Sequence, residues 1–237
     1  MLIAGLDLET TGLDTATCGI TEISAALWDT EKGKLLSMFS TYVMPLQTIP
    51  DEVQRLNGIT NFDCERFGLS INHALAETYG RILRHADAGI AHNWTDFDGP
   101  IMQRLWKEFG QRSTPSLQPA LWIDSSVDVP YPQHITTRKL THLCAEHGFL
   151  NPFPHRGLFD VVSMLQVVSH YSMENILELV KSPMIRVFAN VSFEDKEKAK
   201  GRGYRWNKEE RTWSKNIRQC HLERENAEAG FEVIVDR

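Results

Sequence analysis

The chain has 237 residues, 42% hydrophobic and 24% charged, with a formal net charge of −6. That composition is globular and fits one domain of about 180 residues plus a small appendage, or a single larger unit. Asp7 interrupts the apolar start and no basic leader precedes it, while the longest uncharged run, Leu35–Pro50, holds two prolines; neither an export signal nor a membrane span is expected.

Residues 2–8 (LIAGLDL) read as a short buried strand. Residues 20–29 and 34–45 mix apolar and polar positions at strand spacing across the turn TEKG, so the chain opens as an antiparallel meander. A helix is predicted over 50–59, with Pro50 at its first turn, and another over about 70–85. A brief strand over 87–93 ends at His92 and Asn93. The next helix spans 97–110, with Ile101, Leu105 and Phe109 recurring every four residues and Gly110 at its end. A strand over 120–126 and helices over 136–149 and 156–171 complete an α/β pattern, a mixed sheet with helices packed on it.

The run VKSPMI (180–185) marks a boundary, giving domains 1–182 and 184–237. Beyond it, 184–193 is strand-like, 194–204 a basic helix and turn, and 205–217 a hairpin with two tryptophans, together a small α+β domain. Charge divides at the same place. Residues 1–183 hold 13 Lys/Arg against 21 Asp/Glu, whereas 184–237 hold 12 against 10, and 196–218 hold 9 against 3. An acidic main domain repels nucleic acid unless cations neutralise part of it, and the tail offers attraction of its own. The cysteines Cys18, Cys64, Cys144 and Cys220 form no CxxC pair, which predicts a reducing cytoplasm and neither a disulfide framework nor a structural zinc site.

Three acidic pieces stand out. Asp7 and Glu9 lie two apart on a strand and so share a face. In HNWTDFDGP, Asn93 precedes the pair Phe97-Asp98 by three residues, and alone this reads as a strand end before a helix cap. His155 and Asp160 stand five apart at a helix start. Taken in order, DxE, N-x3-F-D and H-x4-D resemble the three-motif signature of the DEDD exonuclease superfamily, in its histidine subclass. That group includes the polymerase III epsilon subunit, exodeoxyribonuclease X, RNase T and oligoribonuclease. RLNGIT (55–60) and RKLTHLCAEHGF (138–149) extend the resemblance, which covers roughly 1–180.

The resemblance implies a ribonuclease H-like mixed sheet flanked by helices. It also implies a metal-dependent 3′–5′ exonuclease that releases nucleoside 5′-monophosphates. Asp7, Glu9, Asp98 and Asp160 would hold two divalent ions, Mg²⁺ or Mn²⁺, since hard cations take oxygen ligands. His155 would be the general base for the attacking water, a role that suits imidazole. Thr10, Thr11 and Asn93 would lie beside the terminal nucleotide, and Leu13 would pack on its base. Single-stranded DNA ends are the preferred substrate; an exoribonuclease is the alternative, since no residue here senses a 2′-hydroxyl. A non-catalytic nucleic-acid-binding module on the same fold is a third reading, and a homodimer is left open.

Two departures from the pattern matter. Asp96 is a second acid in NWTDFD, and Asp98 is preferred because the aromatic-Asp pair is intact. Position 157 is glycine where many members carry alanine, a difference that looks harmless. In the tail, Lys200, Arg202, Arg205, Lys208 and Arg211 interleave with Tyr204, Trp206 and Trp213, which suits single-stranded nucleic acid. The other reading makes the tryptophans the core of a small domain, and both hold together with Trp206 and Trp213 inside and the cations outside. The tail does not resemble a polymerase-tethering segment, which favours a freestanding enzyme.

Overall fold

The computed structural model describes residues 1–110, 117–132 and 134–236. Strands β1 (Leu2–Thr10), β2 (Ile20–Asp29) and β3 (Lys34–Tyr42) form the expected antiparallel meander. Strand β4 (Ala88–Ala91) joins the other side of β1 in parallel and β5 (Trp122–Asp124) joins β4, giving the order β3-β2-β1-β4-β5. Both late strands are shorter than their apolar runs. The Asp124 carboxylate accepts the N–H groups of Asn93 and Thr95 at 3.0 and 2.9 Å, so the chain leaves the ladder and turns.

Helices α1 (Asp51–Asn57), α2 (Asn61–Phe67), α3 (Ile71–Arg81), α4 (Asp98–Phe109), α5 (Leu140–Glu146), α6 (Gly157–Val168) and α7 (Met173–Lys181) accompany this sheet. Strand alternation sorts α3 to α7 into two cores, while α1 and α2 pack around Ile49, Ile59 and Cys64. Ala4, Leu6 and Leu8 of β1 face a core shared with α3 and α4, where Ile101 and Leu105 are buried and Phe109 packs alongside. Ile3, on the opposite face, belongs to a core with α5, α6 and α7. On that second face Gly5 matters, because a Cβ there would stand 2.9 Å from Val161 of α6. Without it α6 lies close on β1, and the next two residues of the same face are Asp7 and Glu9.

Sequence periodicity misses α2 and α7. Both are short, and α2 is set by local capping: Thr60 and Asp63 form a reciprocal capping box. The helix predicted over 136–149 starts only at Leu140, since the carbonyl of Arg138 meets His92 Nε2 at 2.6 Å instead of entering a helical ladder. Among the described residues, no helix is long and apolar enough to cross a membrane.

The remainder builds a second sheet. Strands β6 (Met184–Asn190), β7 (Arg205–Asn207), β8 (Thr212–Arg218) and β9 (Glu232–Val235) pair antiparallel in the order β7-β8-β6-β9. Helices α8 (Lys196–Gly201) and α9 (Leu222–Glu228) lie between them in sequence; α9 and β9 carry no expectation from the sequence. A separate core of Val187, Ala189, Ala199, Tyr204 and Ile217 holds this part together. Its tryptophans are not both inside. Tyr204 is the large central side chain at 2% exposure, Trp213 packs against the core's edge, and Trp206 is 46% exposed on a three-residue strand.

A buried ion pair ties the second sheet to the loop after β5. Arg218 of β8 donates to both oxygens of Asp128, at 2.6 and 2.9 Å, and from Nη1 to the carbonyls of Val180 and Ser182. Arg218→Ala leaves the Asp128 charge buried without its partner, and a loss of about 3–5 kcal/mol is expected. Urea unfolding reads this directly; a loss below about 1 kcal/mol would mean that the pair does not hold the junction.

Candidate active site

Asp7 and Glu9 project from β1 towards the first turn of α6, which carries Asp160. Carboxylate oxygens of these three residues lie within 4.8 Å of one another. Asp98, the first residue of α4, is 3% exposed and stands outside that trio. After burial, its charge is the next largest cause that raises the Asp7 carboxyl above its usual range. Its Oδ1 is buried with no hydrogen-bond partner. An orphaned carboxylate oxygen beside three clustered acids is a costly arrangement in a protein alone, and it fits a site for hard divalent cations.

The electrostatics agree. Burial, then the charges of Asp98 and Glu9, hold the Asp7 carboxyl well above the usual range. Burial and the charge of Asp124 do the same to Asp98. Burial lifts Glu9 to about 7, against the opposing hydrogen bond from Asn57. Asp160 rises to about 6 through burial, while the backbone N–H of His155 pulls it down.

A stability consequence follows from these directions. Raised carboxyls keep protons in the folded state that the unfolded chain releases, so their contribution is full below about pH 4 and is lost as pH rises through 6 and 7. In EDTA, Glu9→Gln should therefore match wild type in thermal midpoint near pH 4, exceed it increasingly between about pH 5 and 7, and hold that gain above pH 7. Mn²⁺, which binds the ionised form, should raise the wild-type midpoint more at pH 8 than at pH 5. A Glu9→Gln gain that is largest at pH 4 would contradict the assignment of charge.

Several residues that the motifs do not name complete the site. Glu22 faces Glu9 across the ladder and is 3% exposed in a strand buried throughout. Its oxygens accept from the Gly157 N–H at 3.0 Å and from Ser40 Oγ at 2.9 Å, and Arg156 stands 3.5 Å away. The lone acid in the apolar run ITEISAALW was the available signal. Asn57, within RLNGIT, donates to Glu9 Oε2 at 3.0 Å, and Asn151 donates to Asp160 Oδ1 at 2.5 Å.

Gly157 proves to be constrained rather than incidental. A Cβ there would lie 2.6 Å from Ser24 Oγ and 3.4 Å from Asp7 Oδ2, so alanine at this position would displace Ser24 or the start of α6.

His155 is exposed, with φ +63, and its N–H donates to Asp160 Oδ2 at 2.9 Å. The hydroxyls of Thr10 and Thr11 are engaged locally. Thr10 donates to the Gly12 carbonyl at 2.7 Å, and Thr11 accepts from the Gly19 N–H at 3.0 Å and from the Gln47 amide. Leu13, by contrast, is 88% exposed. Asn93 adopts φ +69 and accepts from Arg205 at 3.4 Å, whereas Asp96 accepts from Asn216 at 2.8 Å and so faces the second sheet. Of the tail cations, Arg202 pairs with Glu225 and Glu228, and Lys200 stands 3.6 Å from Glu197. Lys208 and Arg211 are exposed in the turn between β7 and β8.

The sequence profile of the RNase T family, described as exonuclease, matches residues 4–168. No curated protein matches the sequence. Among solved structures, exonuclease I is similar over 79% of this chain and 48% of its own, at 15% identity and a TM-score of 0.62. E. coli exonuclease I in complex with a dA16 oligonucleotide is similar over 84% and 50%, at 15% identity and a TM-score of 0.61. The chain thus spans about half the length of exonuclease I. The likeness is one of fold, and that fold is the ribonuclease H-like mixed sheet with flanking helices.

Proposed function

The chain belongs to the RNase T exonuclease family, and from that premise we propose that it shortens single-stranded DNA from the 3′ end, releasing nucleoside 5′-monophosphates. The observation that carries this reading is the orphaned Asp98 Oδ1 beside the clustered oxygens of Asp7, Glu9 and Asp160. Two divalent cations, Mg²⁺ or Mn²⁺, held by these four carboxylates, would stabilise charge on the attacking and departing oxygens of a phosphodiester.

The protein's own groups divide the remaining work. His155 takes the proton of the attacking water, and its backbone bond to Asp160 ties the loop that carries it to the carboxylates. Asn57 and Asn151 orient Glu9 and Asp160 by donating to one oxygen of each. Exposed Leu13 offers an apolar face to the terminal base, and the hydroxyl bonds of Thr10 and Thr11 shape the loop that presents it. Residues 1–182 form the nuclease domain and 184–237 an accessory domain, whose exposed Arg205, Lys208, Arg211 and Trp206 suit the strand leading to the site. Free thiols throughout suit a reducing cytoplasm.

DNA is preferred because E. coli exonuclease I, of the same fold, is described in complex with DNA oligonucleotides. The test uses 5′-labelled oligonucleotides, as DNA and as RNA, each with a free or a blocked 3′ end. A ladder that shortens DNA from the free end, stopped by EDTA and by the block, is expected. Faster shortening of RNA would transfer the reading to an exoribonuclease, and binding without hydrolysis would make the protein a binding module.

A further inference from the structure

The second sheet meets the first at the segment that delivers Asp98. Asn216 of β8 donates from Nδ2 to Asp96 Oδ1 at 2.8 Å. Arg205 of β7 donates from Nη2 to Asn93 Oδ1 at 3.4 Å. Arg218 of β8 grips Asp128, which accepts the Asp124 N–H at 2.8 Å, and Asp124 in turn holds the N–H groups of Asn93 and Thr95. Three lines of contact from two adjacent strands therefore converge on residues 93–98, the link between β4 and α4.

That link needs holding. Asn93 sits in the left-handed region at φ +69, and Phe97, immediately before Asp98, has φ −133 and ψ −79. Conformations of this kind persist where the surroundings over-determine them. Asp98 Oδ1 has no hydrogen-bond partner, and the groups that favour the ionised carboxylate are the backbone of Leu8 and of Asp98 itself, so its placement follows the backbone around it. An appendage that only gathered substrate would work equally well on a tether and would not aim polar side chains at this one loop.

We propose that the second sheet is a positioning part of the carboxylate site: Asn216 and Arg205 brace residues 93–98 so that Asp98 is presented to divalent cation. This rests on the function proposed above and goes beyond it, because it gives the sheet a role separate from holding a nucleic acid strand. Asp96, the acid that competes with Asp98 in the sequence motif, becomes the receiving end of the brace.

Two substrates separate the roles. The p-nitrophenyl ester of thymidine 5′-monophosphate occupies only the carboxylate centre, whereas a labelled oligonucleotide extends beyond it. Asn216→Asp sets like charges against each other at Asp96, and it should lower ester turnover and substrate-free Mn²⁺ affinity, read by calorimetry, by roughly 10-fold to 100-fold. The oligonucleotide KM should change little. The exchange Asp96→Asn with Asn216→Asp reverses the hydrogen bond, and should recover most of both losses. Should Asn216→Asp not fold, Asn216→Ala carries the test, with smaller losses in the same two readouts.

Unchanged ester turnover and Mn²⁺ affinity, with only the oligonucleotide KM raised, would overturn the proposal. So would losses that the exchange does not recover. A wild-type protein that hydrolyses neither substrate would sink the nuclease reading instead, while Mn²⁺ calorimetry would still report on the brace.

Discussion

Asp98→Asn is expected to lower hydrolysis at least about a thousandfold while raising the thermal midpoint of the metal-free protein. The two effects have one origin. Asp98 is buried, and its charge raises Asp7, so the ionised pair is unfavourable until a cation joins it. Asparagine keeps the shape of the side chain and removes the repulsion. It also removes an anionic ligand, and cation stabilisation of several kcal/mol corresponds to a thousandfold or more in rate. Asp96→Ala should retain activity within about tenfold, since that residue reaches the site only through the loop. If the Asp96 variant were inactive and the Asp98 variant active, the ligand would have been placed on the wrong acid.

His155→Ala should reduce the rate by about a hundredfold to ten-thousandfold, the usual range for a general base. Fold stability and Mn²⁺ affinity should be almost unaffected, because the residue is exposed and its bond to Asp160 comes from the backbone, which alanine keeps. Alanine is less suited to φ +63 than a residue with a polar side chain, so a small destabilisation accompanies the change. His155→Asn separates the two contributions, since asparagine tolerates that backbone and cannot accept the proton in the same way. A rate within about threefold of wild type in both variants would remove His155 from the chemistry.

What the sequence shows of this molecule depends on how local each cause is. Asp7 and Glu9 share a face because strands alternate, a rule that operates over two residues, and the meander β1–β3 is visible for the same reason. Asp98 and Asp160 open helices whose apolar faces are periodic, so their places could be read as well. Glu22 could not be assigned a role, because its neighbour Glu9 lies across a ladder whose register is fixed only when the strands pair. Asn57 and Asn151 reach their carboxylates across 48 and 9 residues of chain; RLNGIT marks the neighbourhood of Asn57, but no local spacing announces either bond.

The C-terminal part shows the same limit more sharply. Interleaved cations and aromatics suggest a nucleic-acid surface, yet Arg202 is tied to Glu225 and Glu228, and Arg218 to Asp128. A lysine or arginine in a sequence does not declare whether it will be exposed or paired. Tyr204 rather than Trp206 fills the small core because β7 is an edge strand of three residues that leaves Trp206 half in solvent. Gly157 is similar: its constraint comes from Ser24, which β2 brings against the start of α6.

The most direct measurement is anomalous diffraction from crystals of the wild-type protein soaked in Mn²⁺, compared with Asp98→Asn crystals treated identically. Manganese is expected among the oxygens of Asp7, Glu9, Asp98 and Asp160 in the wild type, with weakened or lost density in the variant. No manganese at these carboxylates, or equal density without Asp98, would contradict the claim that this cluster is the metal centre of a nuclease.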